Sequence, residues 1–377
     1  MDKLSRRDAV KASAGAVAGL AAMAAMPGRL AAAVHTARRG KQAARIRFAV
    51  IGANHNHIYG QVGAATRGGG EFAAYYVREP EIRADFAKRY PNVKAVADER
   101  AILEDPSIQL VLSSIVPAER APLGIRVMRH GKDYMADKPG ITTLAQLADV
   151  RRVQAETRRI YSICYSERFE NAATVRAAEL VRAGAIGDVV STVGLGPHRV
   201  TPATRPAWFW DPTQYGGIIT DIASHQFDQF LHFTGSTRAE IVAAQVGNTH
   251  HREHPAFQDV GDAMVRGDGG SGYVHVNWFT PDGLPTWGDT RLTVYGSAGY
   301  LEVRKNVDIA GARGANHLIV VDNQGVRRID CSRVALPYGP ALVDDVLHRT
   351  ETAMTQAHCF LAMELALEAQ ERAERGS

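Results

Sequence analysis

Cysteine is scarce in this chain. Its 377 residues include three, Cys164, Cys331 and Cys359, which are too few and too widely spaced for a disulfide framework or a CxxC metal site. A free cysteine most often acts as a small buried apolar side chain, and we predict that role for all three.

The chain also lacks an excess of charge and a long apolar run. It has 44 basic and 40 acidic residues, of which five and two lie in residues 1–33, so the remainder holds 39 and 38. A nearly neutral body argues against nucleic acid as a partner. Beyond the first thirty or so residues no apolar stretch is long enough to span a bilayer, so we expect no membrane segment in the mature protein.

The first 33 residues have the layout of a secretory signal. Ser5-Arg6-Arg7-Asp8 precedes a mildly apolar stretch over residues 12–26, and Ala31-Ala32-Ala33 fits a cleavage site. The paired arginines indicate the twin-arginine route, and hence a periplasmic or extracellular protein. The alternative is a disordered basic tail that contains an alanine-rich helix.

The rest of the chain divides into two regions by pattern. Over residues 45–165 short β-branched apolar runs alternate six times with helical segments, which predicts a Rossmann-like doubly wound parallel sheet. Over residues 166–377 seven segments of alternating polarity predict a C-terminal α+β domain with an open, largely antiparallel sheet. One long helix is predicted from about Leu342 to Glu374. The predicted fold class is therefore α/β followed by α+β.

The turn after the first strand has lost most of its glycines. A dinucleotide fingerprint reads G-x-G-x-x-G, whereas this turn reads Gly52-Ala53-Asn54-His55-Asn56-His57. Asn54 tolerates left-handed backbone angles, and the helix N-terminus still attracts phosphate. We predict that Gly52, Asn54, His55 and His57 bind a cofactor, although the turn alone also suits a plain strand–turn–helix connection.

The end of the second strand is also unusual. An acidic residue is expected there for ribose hydroxyls, and Val77-Arg78-Glu79 occupies the position. Arg78 could contact the 2′-phosphate of NADP, or it could be an ordinary surface arginine.

Three further stretches carry a family resemblance. They are Asp137-Lys138-Pro139 after the fifth strand, "YSERFENAATVRAAELVRAGAIGDV" from Tyr165, and "YGGIITDIASHQFDQF" from Tyr215. In order and spacing they resemble the glucose–fructose oxidoreductase / inositol dehydrogenase / rhizopine catabolism superfamily, written Gfo/Idh/MocA. The resemblance implies an NAD or NADP cofactor, a sugar or polyol substrate, and a homo-oligomer formed through the open sheet.

The resemblance also implies which residues are functional. The family's E-K-P loop places a lysine at the reacting carbon, and it matches Lys138, with Asp137 and Pro139 beside the cofactor. An aspartate and a histidine four residues apart match Asp221 and His225. The chain departs from the family in its glycine turn and at residue 121, where alanine replaces a histidine.

These residue types suit hydride transfer. His225 has the chemistry to accept a hydroxyl proton at neutral pH, and Asp221 could fix its tautomer or bind a substrate hydroxyl. Lys138 could stabilise the developing alkoxide. Without the resemblance, a helix-surface Asp–His pair and a solvated lysine would be the simpler interpretation.

Four residues are candidates for substrate contact, namely Arg168, His198, Trp208 and Trp210. Arg168 could instead form a structural salt bridge, and the tryptophans could be core or interface residues. His198, Asp221 and His225 have no spacing that demands a metal, so none is expected.

The sequence as a whole predicts an exported NAD(P)-dependent oxidoreductase acting on a CH–OH group of a sugar, polyol or glycoside. A cofactor outside the cytoplasm would have to be tightly held and returned to its starting state. Two kinds of reaction would return the cofactor to its starting state. One is hydride transfer from one sugar to another, and the other is redox-neutral hydrolysis or lysis of a glycoside. An alternative of another class is a non-catalytic sugar-binding protein that has lost its cofactor.

Overall fold

Six strands of the N-terminal region form one parallel sheet. The computed structural model describes residues 44–376, so the predicted signal over residues 1–33 lies outside the described residues. The strands are β1 (Ile46–Ile51), β2 (Gly70–Tyr76), β3 (Lys94–Ala95), β4 (Leu110–Ser113), β5 (Asp133–Asp137) and β6 (Tyr161–Cys164). Their order is β3-β2-β1-β4-β5-β6, the order of a doubly wound dinucleotide-binding fold, which confirms the predicted class.

Helices connect these strands and cover the sheet. They are α1 (Ile58–Arg67), α2 (Pro80–Arg89), α3 (Arg100–Leu103), α4 (Pro117–Arg129) and α5 (Leu144–Thr157). The residues of β4 and β5 are all buried, because strands covered on both faces exclude water from every side chain. The strand order reverses between β1 and β4, so the crevice at their carboxyl ends is where such folds bind ligands.

The second sheet has eight strands in the order β14-β13-β12-β11-β7-β10-β9-β8. It is antiparallel except for the parallel pair β7 and β10. The strands are β7 (Val189–Pro197), β8 (Ala239–Gly247), β9 (Val260–Gly267), β10 (Gly270–Asn277), β11 (Arg291–Gly296), β12 (Gly299–Arg304), β13 (His317–Asp322) and β14 (Gly325–Ile329). The open, largely antiparallel sheet is confirmed, with β14 as a strand that the sequence pattern did not predict.

Helices α6 (Ser166–Phe169), α7 (Ala172–Arg182), α8 (Pro212–Tyr215) and α9 (Ser224–Thr234) belong to this second region. Helix α9 packs against β7 and β10 and is buried along nearly its whole length. The opposite face of the sheet carries exposed apolar side chains, among them Met264 and Tyr273. Within residues 44–376 there is no helix whose length and apolarity would let it cross a bilayer.

The single C-terminal helix predicted from Leu342 to Glu374 is wrong. The chain forms two helices there, α10 (Tyr338–His348) and α11 (Gln356–Arg375). Arg349 adopts a left-handed conformation at the end of α10, and the carboxylate of Asp345 accepts bonds from Thr352 and from the backbone of the next residue. These local hydrogen bonds compete with helix continuation. Helix α11 then packs on α5, β6 and β8 and joins the two regions.

Candidate active site

The turn between β1 and α1 keeps the conformation that its first glycine requires. Gly52 has φ of +79°, and a Cβ there would lie 2.8 Å from the Cβ of Ile115. Its N–H donates to the carbonyl of Tyr76 and its own carbonyl accepts from Ser114. The turn is therefore tied to the ends of β2 and β4, and a side chain at residue 52 would push against Ile115, which follows β4.

The two histidines of this turn point to the end of β5. Nδ1 of His57 lies 2.9 Å from Oδ1 of Asp137, and Nδ1 of His55 lies 3.4 Å from Oδ2 of the same carboxylate. Burial and the neighbouring His57 lower the pKa of His55 to about 4, so its imidazole is neutral at pH 7. The cofactor-binding residues predicted in two separate segments are thus in direct contact.

Asp137 is held by Arg120 from α4. Nη2 of Arg120 donates to Oδ2 of Asp137 at 3.2 Å, and its other nitrogens donate to the carbonyls of Ile115, Lys138 and Pro139. Burial alone would raise the pKa of Asp137, but His57 and Arg120 outweigh it and hold the pKa well below its usual value. The sequence analysis missed Arg120, because an arginine in a helix gives no signal that it faces inward.

Lys138 and Asp221 meet across the cavity. Nζ of Lys138 donates to Oδ1 of Asp221 at 3.0 Å and to its carbonyl at 3.1 Å. The lysine side chain is 7% exposed and that of the aspartate 15%. Burial would raise the pKa of Asp221, and the ammonium of Lys138 more than offsets this. Two residues 83 positions apart in the chain thus form one buried ion pair.

Asp221 and His225 differ in their placement. Asp221 lies in a π-helical turn over Ile219–Ala223, which runs directly into α9, rather than on the same regular α-helix as His225. Asp221 lines the cavity, whereas His225 is not among its lining residues. The imidazole of His225 is 2% exposed, its Nδ1 has no hydrogen-bond partner within residues 44–376, and burial lowers its pKa to about 4.

Aromatic side chains form the wall opposite the turn. His198, Trp208, Trp278 and Trp287 line the cavity, and the His198 ring lies 4.6 Å from that of Trp287. Burial lowers the pKa of His198 to about 3, so this imidazole is also neutral. The loop over residues 198–211 brings two of these groups, His198 and Trp208, to the wall, as the sequence analysis expects.

Arg205 completes this wall and forms no ion pair with a carboxylate of the described residues. Its guanidinium stacks over Phe209 and Trp278 and donates to the carbonyls of Val200 and Arg199. Burial lowers the pKa of Arg205. The cavity enclosed by these groups has a volume of about 390 Å³, which is within the usual range for small-molecule sites.

Three predicted contact residues lie elsewhere. Trp210 stacks on His254 at 3.8 Å and does not line the cavity. Both nitrogens of the Arg168 fork donate to Asp228 at 2.7 Å, so Arg168 forms the structural salt bridge that was its alternative interpretation. Arg78 is exposed and bonds to Glu79 and to a glutamate of α4.

Comparison with known proteins shows the family to which the chain belongs. Residues 46–165 match the model described as "Oxidoreductase family, NAD-binding Rossmann fold", and residues 174–302 match the GFO/IDH/MocA C-terminal domain. The chain belongs to the Gfo/Idh/MocA oxidoreductase family. Its N-terminal domain is accordingly an NAD-binding Rossmann domain.

Several relatives of this family are known in structure or function. The crystal structure of a candidate oxidoreductase from Erwinia carotovora atroseptica is 43% identical, with a TM-score of 0.85 over 87% of this chain and 98% of that one. Levoglucosan dehydrogenase in complex with NADH and levoglucosan is 15% identical over 88% of this chain and 98% of that one, and its TM-score of 0.74 shows a common fold.

The curated relatives match over shorter parts of the chain. Levoglucosan dehydrogenase of Pseudarthrobacter phenanthrenivorans is 24% identical over 65% of this chain and 60% of its own length. The scyllo-inositol 2-dehydrogenase (NADP(+)) IolW of Bacillus subtilis is 24% identical over 43% of this chain and 44% of its own. The chain thus matches less than two thirds of the length of either relative.

The altered turn still suits the dinucleotide of this Gfo/Idh/MocA protein. Within residues 44–376 no side chain caps the N-terminus of α1, and a helix N-terminus attracts phosphate. The N–H groups of Ile58 and Tyr59 themselves donate to the carbonyls of His55 and Asn56. Oδ1 of Asn54 is buried and has no hydrogen-bond partner in the part of the chain that the structure describes. Glu79 stands after β2, where a ribose is held in such folds. The cofactor of this domain is NAD or NADP.

Proposed function

We propose that the protein is an exported NAD(P)-dependent oxidoreductase that acts on a CH–OH group of a sugar, polyol or glycoside. The observation that carries this proposal is the buried Lys138–Asp221 ion pair, at 3.0 Å, in a cavity that also contains residues of the cofactor turn. A nicotinamide cofactor, when bound, supplies a hydride acceptor or donor there. The chain supplies the acid–base groups and the binding surface.

Lys138 is the group that meets the reacting oxygen. Its ammonium would donate a hydrogen bond to the substrate hydroxyl and stabilise the negative charge that develops on that oxygen as the C–H bond breaks. Asp221 holds the ammonium in place through the ion pair at 3.0 Å. A neutral imidazole then takes the hydroxyl proton. The family resemblance makes His225 the first candidate for this role, and His198 is the second candidate because its imidazole lines the cavity whereas that of His225 does not.

The aromatic wall suits a carbohydrate. Faces of Trp208 and Trp287 offer apolar surface to the C–H groups of a sugar ring. The indole N–H of Trp278 is buried and has no hydrogen-bond partner among the described residues, so it is available to a substrate hydroxyl. One relative is a levoglucosan dehydrogenase, whose substrate is a sugar derivative. This relative supports the proposed substrate class.

Self-association through the second sheet is part of the proposal. Its outer face exposes Met264, Tyr273, Tyr295 and Tyr300 on neighbouring strands, with Met264 51% exposed. An apolar patch of this kind on a soluble protein marks an interaction surface. A homo-oligomer would bury this face.

One protein preparation tests whether NAD(P) is tightly bound, whether the protein is exported and whether it self-associates. The chain is expressed from residue 1 in a bacterium with a twin-arginine pathway, and the periplasmic fraction is purified without added cofactor. We expect the protein in that fraction, about one equivalent of NAD(P) in the mass spectrum after denaturation, and a multiple of the monomer mass in light scattering. Replacing Arg6 and Arg7 by lysine should retain the protein in the cytoplasm.

The same preparation distinguishes the alternatives. Sugars and polyols are then added, and reduction of the cofactor is followed by absorbance. Net NAD(P)H formation supports a dehydrogenase, whereas product formation at constant cofactor absorbance supports a redox-neutral cycle. A protein that neither carries nor binds NAD(P) would leave only a sugar-binding role and would contradict the proposed function.

A further inference from the structure

Two histidines of the cofactor turn, His55 and His57, meet one carboxylate. His55 and His57 lie two residues apart before α1, and Asp137 ends β5. One ligand atom from each residue lies within 4.8 Å of the others. Within residues 44–376, no other group of three or more histidine, cysteine or carboxylate ligands meets this spacing.

The two His–Asp distances in this group match those between neighbouring ligands of one ion. Metal–ligand bonds of about 2.1 Å place neighbouring ligand atoms about 3.0 Å apart at octahedral angles and about 3.4 Å apart at tetrahedral angles. Nδ1 of His57 lies 2.9 Å from Oδ1 of Asp137, and Nδ1 of His55 lies 3.4 Å from Oδ2. Both imidazoles present the same nitrogen to the same carboxylate, and their ring centroids are 4.1 Å apart.

Other histidines in the protein meet carboxylates in a different way. His275 contacts Asp262 and His251 contacts Asp259, in each case one imidazole for one carboxylate. Such pairs are explained by a single hydrogen bond. Two imidazoles on one buried carboxylate form the two-histidine, one-carboxylate set that binds borderline first-row metals.

The carboxylate of Asp137 is oriented before any ion binds. Arg120 donates to Oδ2 at 3.2 Å, and the backbone N–H of Lys138 donates to Oδ1 at 2.8 Å. Outer hydrogen bonds of this kind fix the direction of a metal-ligating carboxylate. The imidazoles of His55 and His57 are 28% and 35% exposed, on the side of the cavity.

We propose that His55, His57 and Asp137 form a binding site for a divalent first-row transition metal, with Zn²⁺ and Co²⁺ as accepted ions. Three protein ligands leave positions open, as in catalytic rather than structural metal sites. The open positions face the cavity, so a hydroxyl or carboxylate oxygen of the substrate completes the coordination. The ion would polarise that oxygen next to Lys138.

The site is tested by metal binding to the full chain, without a histidine tag. The protein is stripped with a chelator, dialysed and titrated with Co²⁺, followed by visible absorption, and with Zn²⁺, followed by calorimetry. We expect one equivalent of each and a ligand-field spectrum that shows nitrogen coordination. His57→Ala should raise the Kd for the metal at least 100-fold. Replacing even a residue that only hydrogen-bonds to a metal ligand typically lowers metal affinity about 10- to 100-fold.

His275→Ala is the matched control, since it removes an imidazole from a single His–Asp pair on the second sheet. It should leave the Co²⁺ spectrum and the Kd unchanged. His55→Ala is the second variant of the site, and circular dichroism of the metal-free proteins checks that each variant is folded.

Absence of Co²⁺ binding to the wild-type protein would overturn the proposal. So would binding that His55→Ala and His57→Ala leave unchanged, because the ion would then lie elsewhere. The titration needs neither NAD(P) nor a substrate, so its failure would leave the proposed oxidoreductase function intact.

Discussion

Lys138→Met is expected to lower kcat by about 100- to 1,000-fold, the usual cost of removing one preorganised donor to a developing oxyanion. Methionine keeps most of the length and apolar surface of the lysine but has no charge. Without the ammonium, the reacting oxygen loses its donor, and Asp221 is left in the cavity without the ion pair at 3.0 Å. The measurement is steady-state turnover of whichever sugar or polyol reduces the bound cofactor.

Lys132→Met is the matched control for this experiment. Lys132 is also buried, but its Nζ donates to the carbonyls of Asp105 and Ile108, outside the cavity. Its loss should change stability and leave kcat nearly unchanged. Equal turnover by Lys138→Met and wild type would remove Lys138 from the mechanism, and dinucleotide content measured on both variants shows that the cofactor is still bound.

The same turnover assay identifies the residue that accepts the hydroxyl proton. His225→Ala and His198→Ala each remove one neutral imidazole. The base should lose turnover by about 100- to 10,000-fold with little change in substrate affinity, whereas loss of a wall residue raises KM. A larger fall in kcat for His198→Ala would move the assignment from His225 to His198.

Arg168→Met is expected to lower the free energy of unfolding by roughly 3–5 kcal/mol, the cost of leaving one partner of a buried ion pair alone. The guanidinium bonds twice to Asp228 at 2.7 Å, and both side chains are almost entirely buried. Burial would raise the pKa of Asp228, yet Arg168 and His358 hold it well below its usual value. The carboxylate is therefore charged and depends on its partners.

Guanidinium unfolding followed by tryptophan fluorescence measures this change. The double variant Arg168→Met/Asp228→Leu should recover much of the loss, because an apolar pair of similar volume leaves no buried charge unpaired. KM for the substrate should stay at the wild-type value in Arg168→Met. A raised KM with unchanged stability would instead support the substrate contact that the sequence predicted for Arg168.

Much of the fold follows from local pattern. The strands β1 and β4 are mostly apolar in sequence because parallel strands are buried on both faces, and β5 has three apolar residues between two buried aspartates. Their alternation with helical segments leaves few topologies other than a doubly wound sheet. The predicted C-terminal helix failed because its interruption depends on hydrogen bonds to Asp345, which hydrophobic periodicity does not register.

The sequence by itself determined the parallel sheet and the open sheet, because hydrophobic periodicity does not depend on the direction of individual side chains. The family resemblance predicted that Lys138 and Asp221 belong to one site, and the structure added the ion pair between them. Only the tertiary structure decided that His55 and His57 converge on Asp137 and that Arg120 turns inward behind it. Residues 80 positions apart meet through the packing of separate elements. That packing depends on the strand order and on side-chain rotamers, which no local pattern encodes.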